Sequence, residues 1–331
     1  MSVTIRDIAK ATGLSSGTIS RALKNETGLT EDTRSMVIEA ARKMGYDMAR
    51  LRQKKLRRIT FLLHRQHNNT SSSPFYTPVL HGAAEACRKQ GIIMSFTALG
   101  PADGVLDQIR VHQPDAILCA GYFEPELLAA LRTTGKPLVL IDMKLSGYSS
   151  ANPDNLMGGY LATRHLLEIG RERIGFISGS LAHFSIRERA RGFHQALFNA
   201  GVLADPNLEV TMQEGLELEA AAREAMETLL ALPQPPDAVF CYNDAAALIA
   251  MDTCLRAGLK VPYDISIVGF DDIVAAAHAS RPLTTLGVDK SALGALGVEL
   301  LLDGHADDGT ERVLPVSLIV RDSTVCKSGP V

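Results

Sequence analysis

The chain is poor in the residues and runs that mark several large protein classes. Its five cysteines, Cys87, Cys119, Cys241, Cys254 and Cys326, are odd in number and widely spaced. No Cys-x-x-Cys pair and no histidine cluster accompanies them, so a disulfide framework and a zinc site are both disfavoured, and the thiols read as reduced. No apolar stretch approaches the length needed to span a bilayer, and no basic leader precedes an apolar run at the N-terminus. These absences predict a cytoplasmic protein without a membrane partner. There is no Gly-x-x-x-x-Gly-Lys-Ser/Thr phosphate loop, no low-complexity segment and no sequence repeat. The remaining composition, 46% hydrophobic and 21% charged over 331 residues, is that of folded globular domains, two or three of them.

Charge is distributed unevenly. Residues 1–58 hold 13 Lys and Arg against 6 Asp and Glu, a net of +7, whereas the remainder holds 21 against 31, a net of −10. A basic head on an acidic body fits a nucleic-acid-binding module joined to a part that stays off the phosphates.

The head contains TIRDIAKATGLSSGTISRALKN at 4–25, in which Gly13-Leu14-Ser15-Ser16-Gly17 satisfies the Gly-x-Ser-x-Gly pattern of a hydrolase nucleophile. A nucleophile elbow requires a strand before the serine and a helix after it. Here the approach is helical, because Ile5, Ile8 and Ala9 share one face at helical spacing. Gly13 ends that helix and Ser15 is placed to cap a second, on which Ile19, Ala22 and Leu23 share a face. Two short helices around such a turn predict a helix-turn-helix, not a catalytic serine. A third helix is expected after Thr30, with Glu31 and Asp32 at its positive end, Val37, Ala40, Ala41 and Met44 as its apolar stripe and Gly45 as its stop.

Beyond residue 58 short apolar runs alternate with helical patterns: ITFLLH at 59–64, IIMSF at 92–96, AILCA at 116–120, PLVLID at 137–142, RIGFIS at 173–178, AVFCY at 238–242 and ISIVGF at 265–270. Such runs predict parallel sheets covered by helices, with ligands at the carboxyl ends of the strands.

The order IRDIAKATGLSxxTISRALKN, followed by TEDTR and AARKMGY, closely resembles the LacI-GalR family of bacterial transcription regulators. The likeness continues in DNLMGGYLATRHLLEIGRERIGFISG at 154–179, RARGF at 189–193, YNDAAALIA at 242–250 and DISIVGFDD at 264–272. The resemblance implies a small all-α helix-turn-helix headpiece, residues 1–46, a hinge or linker at 47–58, and an α/β periplasmic-binding-protein-like body, 59–331. That body is expected to have two parallel-sheet subdomains, an N-subdomain of about 59–157 and 288–314 and a C-subdomain of about 158–286 and 315–325, with three chain crossings near 157, 287 and 315.

The function implied is a sequence-specific repressor whose affinity for a palindromic double-stranded DNA operator is controlled by a small-molecule effector, a sugar or sugar derivative. Within the family's reading helix, Ser16 and Gly17 occupy the variable positions that help choose operator bases and Arg21 matches the groove-facing arginine. Arginine can grip a guanine edge with two hydrogen bonds, while Ser16 and Gly17 have little reach and permit close approach. Thr18 and Ser20 read as phosphate or positioning contacts, and Thr4 and Ser15, at helix starts, complete the DNA-facing set. The hinge, DMARLRQKKLRRI, departs from the family by lacking its Pro-Asn start and by being shorter. Counting back from the first core strand places Leu51 where the family leucine wedges into the minor groove, with Leu56 as the rival.

For the effector, Asp142, Asn243 and Asp271 lie at strand ends and Arg189 stands where the family carries its ligand-binding arginine. Carboxylates and a guanidinium together can bracket vicinal hydroxyls. Arg189 and Asp271 are expected to hold the effector without a part in folding. Phe75 and Tyr76 offer stacking faces, and His64 ends the first body strand. After Glu214-Gly215, where the family often has a stacking aromatic, this chain has Leu216-Glu217-Leu218. A cleft-facing Glu217 would favour an effector more polar than a simple pyranose, or one with an amine, over a phosphate-rich one.

Reading a palindrome implies a homodimer, for which Val79, Leu80, Ala83 and Ala84 are the candidate helix face; the family's tetramerisation tail is absent. No cofactor, metal site or catalytic residue is expected. The competing readings are a sugar-binding protein, which would need export and no headpiece, and a glycoside-processing enzyme, for which carboxylates alone do not suffice.

Overall fold

The computed structural model describes residues 3–23, 28–46, 56–69, 72–100, 103–306 and 308–326. The chain forms two compact units, the headpiece and the body. Leu51 and most of the hinge lie outside the described residues.

In the headpiece, α1 (Ile5–Thr12), α2 (Ser16–Leu23) and α3 (Glu31–Lys43) surround one small core. Ile8, Ile19, Ala22, Leu23, Val37 and Ala41 are its buried members, and Ile5, Ala9, Ala40 and Met44 pack against them. The apolar spacing thus does what an amphipathic three-helix unit requires, turning one stripe of each helix inward. Thr30 accepts a hydrogen bond from the Thr33 amide at 3.4 Å and so caps α3.

The body alternates strands and helices: β1 (Arg58–His64), α4 (Ser73–Lys89), β2 (Ile93–Leu99), α5 (Val105–His112), β3 (Ala116–Ala120), α6 (Pro125–Arg132), β4 (Leu138–Ile141) and β5 (Ser149–Pro153). It continues with α7 (Asn155–Glu168), β6 (Ile174–Ser178), α8 (Phe184–Asn199), β7 (Glu209–Thr211), α9 (Leu218–Leu230), β8 (Ala238–Cys241), α10 (Asp244–Arg256), β9 (Ser266–Val268) and α11 (Val274–His278). The last elements are β10 (Thr285–Gly287), α12 (Lys290–Leu302), β11 (Glu311–Leu314) and β12 (Ser317–Ile319).

Strands pair into a six-stranded sheet of order β11-β5-β4-β3-β1-β2 and a four-stranded sheet of order β7-β6-β8-β9, both parallel. Each sheet anchors one lobe. The chain passes between lobes after β5, after β10 and after β11, and antiparallel pairing of β10 with β12 ties two of these passages together. The apolar runs mark β1, β2, β3, β4, β6, β8 and β9, but β5, β7, β10, β11 and β12 carry no such run. β5, Ser149–Pro153, is buried along its whole length despite its polar sequence.

One expectation about α4 is corrected. Val79 and Ala83 are fully buried inside the body, so they cannot face a second subunit, although Leu80 and Ala84 stay half-exposed. Apolar surface does appear on the edge strand β2, where Ile93 and Phe96 are exposed.

Four of the five cysteines are buried, Cys326 is exposed, and none is paired. Among the described residues no helix is long and apolar enough to cross a membrane, and no group of three or more His, Cys, Asp or Glu is placed to hold a metal ion.

Candidate functional site

The DNA-facing candidates fall into two kinds. Thr4 and Ser15 are committed to caps. Thr4 donates its amide and hydroxyl to Asp7 Oδ2, at 2.8 and 2.7 Å, and accepts from the Asp7 amide, closing a capping box. Ser15 Oγ accepts from the Thr18 amide at 3.1 Å and lies 2.8 Å from the Thr18 hydroxyl, so both hydroxyls are occupied in starting α2. Ser16, Gly17 and Arg21 are exposed and Ser20 is half-buried, with Ile19, Ala22 and Leu23 on the buried side. Gly17 and Arg21 are four apart and therefore share a helix face, which leaves the arginine's reach unobstructed. Because α1 rather than a strand precedes Ser15, the Gly-x-Ser-x-Gly match has no elbow geometry.

A cleft of about 430 Å³ opens between the body's lobes. Phe75, Tyr76, Asp142, Arg189, Glu217, Asn243 and Asp271 all line it. His64 does not. Its ring is buried, with Nε2 3.3 Å from Glu124 Oε2 and Nδ1 accepting from the Gln66 amide at 3.4 Å, so it stands behind the wall as a supporting residue. His67, three residues on, lines the cleft instead.

Arg189 is the cleft's centre, and α7 and α8 place it. A Cβ on Gly159 would stand 2.1 Å from the Arg189 carbonyl oxygen, and one on Gly192 would stand 2.1 Å from that of Leu156. Only glycine at both positions lets the helices touch backbone to backbone. Arg189 then donates Nε to Asn155 Oδ1 at 2.9 Å and one terminal nitrogen to the Tyr242 carbonyl at 2.5 Å. Its other terminal nitrogen lies 3.4 Å from Asp271 Oδ1, and the guanidinium sits 3.5 Å from the Phe270 ring centre. At 3% exposure this residue holds the lobe together as well as facing the cleft, which overturns the expectation that it has no part in folding.

Two carboxylates complete the floor. The Tyr76 hydroxyl donates to Asp142 Oδ2 at 2.9 Å. Asp142 Oδ1 and Asp271 Oδ1 are both buried and make no hydrogen bond within the protein. Burial raises the Asp142 carboxyl, opposed by the Arg189 charge and by the hydrogen bond from Tyr76. Burial likewise pushes Asp271 up to about 6, against the pull of Arg189. Asp142 and Asp271 have positive φ, 58° and 109°, a conformation that costs non-glycine residues on the order of 1–3 kcal/mol and persists where the surroundings enforce it.

The walls are aromatic and polar. Burial holds His67 down to about 3, helped by His183 and His64, so its imidazole is neutral, and its Nε2 accepts the Tyr122 amide at 3.1 Å. His183 comes from the opposite lobe, its ring centre 5.5 Å from that of His67 and 4.7 Å from that of Tyr122. Burial pushes Tyr242 up to about 12, so the phenol remains a proton donor. Asn243 accepts the Ala246 amide at 2.9 Å to cap α10, and its side chain also bonds the Tyr242 phenol at the cleft wall. Glu217 is exposed at the start of α9 and makes no capping bond, and Glu214 lies beside it in the wall.

Sequence reasoning did not single out Asn155, His67, His183 or Tyr242 as site residues. Asn155 and Tyr242 stand inside segments quoted above, DNLMGGY and YNDAAALIA, so that signal was present. The two histidines had none.

Behind the floor, Asp244 is fully buried, accepting from Thr285 Oγ1 at 2.5 Å and from the Ile273 amide at 2.9 Å. Burial, reinforced by the Asp271 charge, pushes its carboxyl up to about 8 from an ordinary 3.8. Between those two values the folded state keeps a proton that the unfolded chain releases, so this group's contribution to stability falls as pH rises through that window. Asp244→Asn keeps an acceptor for Ile273 and offers Thr285 a donor. Thermal midpoints at about pH 5 and about pH 8 should therefore fall less for the variant than for the wild type; equal falls would refute the buried proton.

Residues 4–48 match the model described as bacterial regulatory proteins, lacI family, and residues 163–324 match a periplasmic binding protein-like domain. The HTH-type transcriptional repressor PurR of Aliivibrio salmonicida is 33% identical over 324 residues, 93% of this chain and 94% of that protein. PurR of Haemophilus influenzae is 31% identical, covering 97% and 98%. Among solved structures, a transcriptional regulator CelR–cellobiose complex superposes with a TM-score of 0.73 at 27% identity over 97% of this chain and 99% of that one. The lac repressor dimer bound to operator and the anti-inducer ONPF shares the fold, with a TM-score of 0.69 at 23% identity over 98% and 100% of the two chains. With a matching headpiece, a matching body and relatives aligned over almost their whole length, the chain belongs to the lacI family of bacterial regulatory proteins.

Proposed function

We propose that this protein is a transcriptional repressor that reads a palindromic operator as a homodimer and changes its operator affinity when an uncharged, donor-rich small molecule occupies the interlobe cleft. The observation that carries the effector half is the pair of buried carboxylate oxygens, Asp142 Oδ1 and Asp271 Oδ1, without hydrogen bonds beside the Arg189 guanidinium. Such oxygens accept from hydroxyl or N–H groups, and the guanidinium satisfies an acceptor on the same molecule. Asp142, Asp271, Glu214 and Glu217 outnumber Arg189, so the local charge disfavours a phosphorylated effector. A sugar or sugar derivative fits through its vicinal hydroxyls. A flat nitrogen heterocycle such as a purine base is the second reading. The His67 and His183 rings that line the cleft offer it stacking faces, and the relatives aligned over most of the chain carry the name PurR. For the dimer, the support is the exposed Ile93 and Phe96 on β2 together with the two-fold symmetry that a palindrome demands.

The test screens cellobiose, ribose, glucosamine, glucose 6-phosphate, hypoxanthine and guanine for thermal stabilisation. A compound at a hundred times its Kd stabilises the body by about 2.7 kcal/mol. The stabilising compound should be recovered unchanged and should alter affinity for a duplex selected from a random pool, with two chains bound per duplex. Turnover of the compound, or stabilisation by the phosphorylated sugar alone, would reject this assignment.

A further inference from the structure

Lys290 opens α12, where the chain has just re-entered the lobe of the six-stranded sheet. Its ammonium nevertheless reaches back to the other lobe, donating to the carbonyl oxygens of Asp271 and Asp272, the latter at 3.2 Å. Those carbonyls belong to the loop that presents the cleft carboxylate. Both residues have positive φ, 109° and 49°, so the loop depends on outside contacts to keep its shape. From its own lobe it is held by Arg321, which binds Asp272 Oδ1 at 2.6 Å, and by Asp244, which accepts the Ile273 amide. Lys290 is the hold from the opposite lobe.

What stands behind Lys290 is rigid. A Cβ on Gly82 of α4 would lie 1.9 Å from the Ser291 carbonyl oxygen, and one on Gly294 of α12 would lie 1.9 Å from that of Val79. The two helices therefore meet backbone to backbone, with no side chain between them to absorb a shift. At its own N-terminal end α4 carries Tyr76 to Asp142 in the cleft. The α4–α12 pair thus touches the site twice, through Tyr76 in its own lobe and through Lys290 in the other.

We propose that Lys290 is a positioning residue that fixes the Asp271 loop and makes the α4–α12 pair follow that loop when the cleft is filled. What the movement does to DNA binding rests on the repressor reading above; whether Lys290 holds the loop does not. The ammonium supplies two charge-assisted hydrogen bonds, which arginine can also supply and methionine cannot.

The test uses full-length Lys290→Met and Lys290→Arg in hydrogen–deuterium exchange. In the free protein, amides of segment 269–275 should exchange roughly tenfold faster in Lys290→Met than in wild type and near the wild-type rate in Lys290→Arg, with α12 itself unchanged. Addition of a duplex selected from a random pool by the wild-type chain should shift exchange at 269–275 in wild type and in Lys290→Arg, and leave Lys290→Met unmoved. Equal exchange at 269–275 in wild type and Lys290→Met overturns the proposal, as does loss of protection along α12 in both variants, which would mark a purely structural residue. If the duplex moves nothing even in wild type, the ligand-coupled repressor reading fails, while the free-protein contrast still decides the role of Lys290.

Discussion

Arg189→Ala is expected to lower the unfolding free energy of the body by about 3–5 kcal/mol and to abolish stabilisation by any cleft ligand. Both losses come from one guanidinium. It is 3% exposed and joins Asn155, the Tyr242 carbonyl, Asp271 and the Phe270 face, so truncation leaves several buried groups unsatisfied at once. The Arg189 charge also opposes the effect of burial on Asp142 and Asp271, so without it both carboxyls should hold their protons to higher pH. The variant should therefore recover part of its stability on acidification, the direction in which those carboxyls become neutral. A double-mutant cycle with Asp271→Asn separates the pair from the scaffold: because the second change removes an uncompensated charge, the two costs should sum to more than the double variant loses. Additive losses in denaturant melts would show that Arg189 and Asp271 do not act as a pair. A wild-type ligand response in Arg189→Ala would move the effector site elsewhere.

Arg21→Ala should reduce the ratio of selected-operator to random-duplex affinity by roughly 5- to 150-fold, the equivalent of about 1–3 kcal/mol for a bidentate base contact. The residue is exposed on α2 while its neighbours Ile19, Ala22 and Leu23 are in the core, so the change should leave headpiece folding intact. Anisotropy titrations of both duplexes at one fixed salt concentration measure it. A uniform weakening on both would assign Arg21 to the phosphates, and no change would remove it from the interface.

How much of this could be read before the fold was known differs from part to part. The headpiece was legible because its core is local: every stripe residue finds its partner within a few dozen positions, and helical spacing alone marks the stripe. Central strands such as Ala116–Ala120 were legible because burial on both faces demands an unbroken apolar run. Ser149–Pro153 was not, since its burial is completed by β11, which arrives from distant sequence to pair on the side away from β4. In the cleft, strand ends pointed to Asp142, Asn243 and Asp271, which the cleft brings together. The same reasoning placed His64 in the wall, yet the chain turns just after that residue and it is His67 that lines the cleft. The contacts that make Arg189 structural run to Asn155 and Tyr242, 34 and 53 residues away, and no local pattern encodes such distances.

The meeting of Gly159 with Arg189 and of Gly192 with Leu156 limits how this protein could be re-engineered as a sensor for other compounds. Repacking normally lets a designer swing a binding residue by a fraction of an ångström, but at these two crossings there is no side chain between α7 and α8 to exchange. The aim of the guanidinium is set by two main chains in contact, and a variant library that alters either glycine would sample broken lobes instead of new specificities. Useful diversity lies at Glu214 and Glu217 on the segment before α9, and at His67 and His183 on the facing rims. There, side chains bound the cleft without holding the helices, so selectivity can be rewritten while the grip at the centre stays as it is.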